Sequence, residues 1–262
     1  MIARVSIRST IEARYSSLDK SAAGGSLMKP VCRVVVSSFA LMLAYPLSLS
    51  AQWNKKPYTE WSEKEATKLL NDSPWGQTQA LTDTSQMTGQ ARADSNQSRI
   101  QEVFNINLRI RFLSAKPVRQ ALSRRMEIKN AEKISAEQAA RLKAFAAADF
   151  PDYIVITVLS ESDKASSLLQ QTQQSFYKRT TSELKNNTYL LAGGKRVFIK
   201  EYQPPGNDGF GARYIFPRIV DGKPFITPET GDILFHSEPG GSTVLNMRYK
   251  VKEMMFDGKL EY

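Results

Sequence analysis

Four arginines and two tryptophans are the residues whose types and spacing could bind something. Phe104, Ile106, Leu108, Ile110 and Phe112 alternate with Asn105, Asn107, Arg109 and Arg111, a period-two pattern that predicts a strand with one apolar face and one wet, basic face. If a neighbouring strand adds Arg213 or Arg218, the guanidinium forks would form a cluster able to grip a carboxylate or phosphate. The plainer expectation is solvent-facing edge protection. Trp61 and Trp75 could stack a sugar or another flat ligand, although anchoring a core is the commoner use of such a pair.

Catalytic chemistry has little to work with. His236 is the only histidine and Cys32 the only cysteine, so a site built from several imidazoles or thiolates is excluded, and neither metal nor cofactor is expected. No Gly-x-Ser-x-Gly elbow presents a serine nucleophile. Gly193-Gly194-Lys195 lacks the leading glycine and the following Ser or Thr of a phosphate loop and reads as a hairpin turn. Paired carboxylates could still hydrolyse a glycosidic bond, but their separation is not a property of the sequence. Asn96-Gln97-Ser98 and Asn186-Asn187-Thr188 match glycosylation acceptors, a pattern short enough to arise by chance.

The address is clearer than the chemistry. Met28-Lys29-Pro30, with Arg33, opens a basic start; an uncharged apolar run follows to Tyr45, then Pro46 and the small residues Ser48, Ser50 and Ala51. That is the layout of a cleavable export signal over 28–51, with an apolar centre shorter than the roughly 20 residues a membrane-spanning helix needs. Residues 1–27 are a leader or a misassigned start. The expected location is periplasmic or secreted, with membrane attachment only if the signal stays uncleaved. Cleavage would remove Cys32, so no disulfide would form. The chain has 36 basic and 26 acidic residues; six of the basic and two of the acidic lie in the first 51, which leaves an excess of six. That excess is scattered, suits an anionic ligand or an envelope protein as partner, and gives no reason to expect nucleic acid.

The elements that must carry these residues follow from capping and periodicity. Residues 52–75 form a short Trp-bearing helical segment: Ser62 and Glu65 make a capping box for a helix over 63–71, which Pro74 stops. Residues 76–101 read as a polar linker, since 76–98 holds no aromatic residue and is crowded with Gln, Thr, Ser, Asn and Asp. A domain over 102–262 then offers helices at 117–130, from the Ser135/Gln138 box to Asp149, and at 163–184, with a central strand at 153–159 that is apolar on both faces. Beyond residue 187 the pattern becomes hairpins: Gly193-Gly194 joins 188–192 to 195–202, and Asp221-Gly222 joins 212–220 to 223–227, with further strands at 232–237 and 243–251. The C-terminus could turn at Lys252-Glu253 or at Asp257-Gly258; the second has the better turn chemistry.

Taken together, Trp61 with Ser73-Pro74-Trp75, Phe216-Pro217-Arg218 with Asp221-Gly222-Lys223-Pro224, and the ending Phe256-Asp257-Gly258-Lys259-Leu260-Glu261-Tyr262 resemble a group of uncharacterised secreted proteins from soil bacteria. The group is similar in style to the GWxTD-domain secreted proteins, although this chain has no Gly-Trp-x-Thr-Asp stretch. The resemblance spans most of the chain after the signal. It implies export and a shared fold and brings no catalytic residues with it. The expected fold is α+β, a mainly antiparallel sheet with packed helices and C-terminal β-hairpins, preceded by a signal peptide. The expected role is a non-enzymatic exported binding or interaction protein; the alternatives are an envelope hydrolase using Asp and Glu, or a membrane-anchored interaction domain.

Overall fold

The alternating run becomes a strand as its pattern requires, in a computed structural model that describes residues 53, 55–83, 104–241 and 243–262. The leader, the signal segment with Cys32, Asn96 and most of the expected linker lie outside the described residues. A five-stranded antiparallel sheet runs in the order β1 (Gly76–Asp83), β2 (Phe104–Phe112), β3 (Tyr153–Glu161), β7 (Ala212–Pro217) and β6 (Glu201–Gln203). A second antiparallel sheet runs β11 (Thr243–Lys250), β10 (Asp232–Gly240), β4 (Thr188–Ala192) and β5 (Lys195–Phe198). Two short ribbons, β8 (Ile219–Val220) with β9 (Lys223–Pro224) and β12 (Met255–Phe256) with β13 (Lys259–Leu260), complete the strands among the described residues.

The α+β class holds, but the antiparallel strands form two facing layers instead of one extended sheet. Register explains the layering. Ile110, Val158 and Ala212 share one cross-strand row, and Phe112, Ile156 and Tyr214 the next, so the apolar sides of β2, β3 and β7 coincide. They meet the inner face of the second sheet: Phe112 packs edge-on against Tyr249 at 4.8 Å, and Tyr214 against Phe235 at 5.3 Å. Tyr249 also donates its hydroxyl to the Ile110 carbonyl at 3.1 Å. The chain changes layers within the expected 195–202 strand. Ile199 N–H still bonds Thr188 in the second sheet, whereas Lys200 N–H bonds Ile215 in the first.

Helices cover the other face of the first sheet. α1 (Glu63–Asn71) starts at the Ser62/Glu65 capping box and lies on β1 and β2; α2 (Lys116–Lys129) packs between α1 and α3 (Ala136–Ala147), whose start is the Ser135/Gln138 box. The helix expected over 163–184 is two, α4 (Ser167–Tyr177) and α5 (Thr181–Leu184). Thr180 is extended at φ −118°, and its N–H and hydroxyl both donate to Glu183 at 2.8 Å, so a new cap begins where the first helix ends.

Residues 76–83 are a strand and not the start of a linker. Their composition misleads because β1 is an edge strand: Gln77 and Gln79 share a face with Ile110 and Leu108, yet their side chains bond the main chain of β11. At the C-terminus the Asp257-Gly258 turn is the one used, with positive φ at both residues and Met255 opposite Leu260. Trp75 joins the two ends of the described chain by donating Nε1 to the Glu261 carbonyl at 2.8 Å.

Candidate functional site

The helix layer decides the fate of the arginines. α1 leaves its last carbonyls without partners inside the helix, as every helix does, and Arg111 supplies donors: Nε to Leu70 O at 3.0 Å and Nη2 to Asn71 Oδ1 at 2.8 Å. The residue is 2 % exposed. The expected wet, basic face is therefore a helix-to-sheet interface at this point, because α1 folds back over the strand and uses the guanidinium as its cap. Burial pushes the Arg111 pKa down to about 10, against the opposing pull of Glu161, so it stays charged near neutrality. Arg109 is partly covered and bonds Glu161 at 3.1 Å and Thr78 Oγ1 at 2.7 Å.

Arg213 shares a cross-strand row with Arg111, with Thr157 between them. It does not join a cluster: Nη2 bonds Asp208, and the guanidinium sits 5.7 Å from the Phe210 ring centre. Arg218 lies beyond β7, bonds the Tyr262 main-chain oxygen and stacks 4.0 Å from that residue's ring centre. Arg109 and Arg111 lie close enough on β2 to feel each other and Glu161, whereas Arg213 and Arg218 are each held by other partners, so the four do not form one guanidinium cluster.

The tryptophans are core residues. Trp75 has no exposure and packs edge-on against Phe256 at 6.1 Å. Trp61 is 2 % exposed, packs edge-on against Trp53, and accepts a bond from Arg124 at its carbonyl. Neither indole face is open to a flat ligand. A groove of about 480 Å³ beside Trp61 carries Lys55, Lys56, Lys64 and Lys68 at its rim. His236 stacks on Tyr189 at 4.9 Å with Nε2 3.3 Å from Glu238 Oε1.

The site that the geometry builds lies elsewhere, on the Pro- and Gly-rich loop between β6 and β7. Gly209 and Gly211 have φ of 75° and 83°, a region that glycine occupies freely. A Cβ at Gly211 would stand 2.2 Å from the Val158 carbonyl, so the loop passes hard over β3. Phe210, framed by the two glycines, is carried onto α3 and stacks on Phe145 at 5.4 Å with planes 14° apart. Between α2, α3 and this loop opens a cleft of about 930 Å³. Met126, Ile134, Leu142, Phe145 and Phe210 give it apolar walls; Asn130, Lys133, Gln138, Arg141, Asn207 and Asp208 supply polar groups.

Asp208 is the one carboxylate among the described lining residues. Burial pushes its pKa up, but the Phe210 N–H and the Arg213 guanidinium outweigh that and hold it below the usual range. It is a fixed, neutralised anion, unsuited to act as a general acid near neutrality. Lys133 and Arg141 leave the cleft with a positive excess, Arg141 being tied to Glu137 in a surface pair. No group of three His, Cys, Asp or Glu side chains able to hold a metal occurs among the described residues. Of the sequence candidates only Arg213 reaches this site, and it does so through Asp208 and Phe210. The usable signal was an aromatic residue set between two glycines in a loop, which serves no purpose in a plain hairpin connection.

The fold and site define an α+β protein of two facing antiparallel sheets, with helices layered on one of them and an open cleft of mixed apolar and polar lining at the helix margin. No family model matches the chain, and neither a curated protein nor a solved structure matches it. No described helix is long and apolar enough to cross a membrane.

Proposed function

We propose that this is an exported, non-enzymatic binding protein whose ligand is an amphipathic anion, an acyl chain ending in a carboxylate or a comparable group, held in the cleft between α2, α3 and the β6–β7 loop. The observation that carries the reading is the stacked pair Phe145 and Phe210 in a cleft that Met126, Ile134 and Leu142 also line, together with the cations Lys133 and Arg141. Apolar walls with a few converging polar groups are what a small-molecule site requires. Export rests on the basic, apolar and small-residue pattern over 28–51. An envelope hydrolase would need two carboxylates facing across a bond, and Asp208 is spent on Arg213.

The test is calorimetric titration of the full chain with dodecanoate below its micelle concentration. Saturable binding with a negative heat-capacity change is expected, because apolar surface is buried. Phe145→Ala should weaken it about tenfold, equivalent to about 1.4 kcal/mol. Lys133→Gln should weaken it most at low salt, since an exposed cation acts through a screened field. Absence of saturation, or equal affinity in the Phe145→Ala protein, overturns the reading.

A further inference from the structure

The charges of the 480 Å³ groove beside α1 do not balance. Four lysines line it, Lys55, Lys56, Lys64 and Lys68, against one carboxylate, Glu65. Glu65 is already spent: Ser62 donates to it from its N–H at 2.8 Å and its hydroxyl at 2.7 Å, and Lys56 donates Nζ at 2.9 Å, which together lower its pKa to about 2. Lys56 is thereby paired. Lys55, Lys64 and Lys68 make no ion pair among the described residues, although Glu60, Glu63 and Asp72 are close in sequence. Lys64 and Lys68 stand one turn apart on α1, a spacing at which like charges cost helix stability. Trp53 lines the same groove at 3 % exposure, and its indole Nε1 has no hydrogen-bond partner among the described residues, an exception to the rule that buried donors are satisfied. The groove therefore gathers three unpaired cations and an unmatched N–H, and supplies an acceptor for none of them.

We propose that this groove receives the phosphate headgroup of an anionic phospholipid and so seats the protein on a membrane surface. Charge complementarity calls for an anion, and lysine ammonium groups bind phosphate as point charges. The chain ahead of the groove makes it a lipid phosphate. The uncharged apolar run ends at Tyr45, eight residues before Trp53, a tether of at most about 29 Å when fully extended. On the export reading, on which this step rests, the apolar run enters a membrane, and the tether keeps the groove close to the headgroups of that bilayer. Trp53 and Trp61 are 3 % and 2 % exposed, too covered to insert among acyl chains, so the attraction is electrostatic and falls as salt rises.

The test is flotation of the full chain with phosphatidylcholine vesicles, with and without phosphatidylglycerol. The apolar run contributes to both alike, so the difference reads headgroup charge. Phosphatidylglycerol should raise the partition coefficient, and Lys55→Gln, Lys64→Gln and Lys68→Gln together should remove the gain, by about fivefold per lysine, equivalent to about 1 kcal/mol each beside an anionic surface. Lys195→Gln, Lys223→Gln and Lys259→Gln together remove the same charge from elsewhere and should keep most of the gain; all six residues are exposed, so neither set should disturb the fold. In the ¹⁵N-labelled full chain, the Trp53 indole resonance, assigned by Trp53→Phe, should shift with dihexanoyl phosphatidylglycerol below its micelle concentration and stay still with dihexanoyl phosphatidylcholine. The inference is overturned if phosphatidylglycerol adds nothing, if both sets of lysines lose the gain equally, or if the Trp53 resonance does not move. A Trp53 shift with inorganic phosphate, without any gain on vesicles, would make the groove a soluble-anion site and overturn it as well. A failure of dodecanoate to bind at the α2–α3 cleft would leave this result untouched.

Discussion

Arg111→Met separates a buried cap from a wet binding face. Methionine keeps the apolar stem and removes both hydrogen bonds to α1. Bonds to a charged group contribute about 1.5–3 kcal/mol each, so the pair is worth roughly 3–6 kcal/mol by that scale. Burying the charge works against this. The fall of the Arg111 pKa from 12.5 to about 10 corresponds to about 3 kcal/mol at about 1.4 kcal/mol per unit, a cost that methionine escapes. The difference leaves a destabilisation of at most about 3 kcal/mol, with Tm lowered by about 2–4 °C for each kcal/mol. Urea unfolding followed by circular dichroism reads it. Arg109→Met is the control: its partly exposed pair with Glu161 should contribute no more than about 1 kcal/mol. If Arg111→Met is as stable as Arg109→Met while retention on an anionic polymer falls, the cap is wrong and the basic face is real.

Further outcomes follow from single contacts. Gly211→Ala should destabilise the chain by at least about 1–2 kcal/mol from its left-handed φ alone, and should abolish dodecanoate binding by displacing Phe210; thermal melting and calorimetry read the two effects. Trp75→Phe removes the bond to Glu261 and should cost about 1 kcal/mol, with faster amide exchange in β12 and β13 than in β3. Glu65 accepts bonds from Ser62 N–H, from the Ser62 hydroxyl and from Lys56, which lower its pKa from 4.5 to about 2. A depressed folded pKa means stability present above 4.5 and lost as pH falls toward 2, so Glu65→Gln should flatten the dependence of melting temperature on pH across that interval.

Local signals were legible because their physics is local. The boxes at Ser62 and Ser135 satisfy helix N–H groups within four residues, and Asp221-Gly222 and Asp257-Gly258 hold the positive φ that tight hairpins demand. What could not be read depends on partners far along the chain. Arg111 looks solvent-facing in a period-two pattern, and only the return of α1, forty residues earlier, buries it. Gln77 and Gln79 give β1 the composition of a linker because their bonding partners lie more than 160 residues away. The cleft was hidden for the same reason: Phe145 reads as an inward helix residue and Phe210 as part of a loop, and their meeting depends on how closely Gly211 lets the chain approach β3.

The most direct test of the central claim uses methionine methyl groups labelled with ¹³C in the full chain. Met126 lines the cleft, whereas Met254 is fully buried among core residues. Titration with dodecanoate should move the Met126 methyl resonance, assigned by Met126→Leu, along a saturable curve that matches the calorimetric one, while Met254 stays in place. Saturable binding that leaves Met126 unmoved would put the ligand elsewhere and contradict the account.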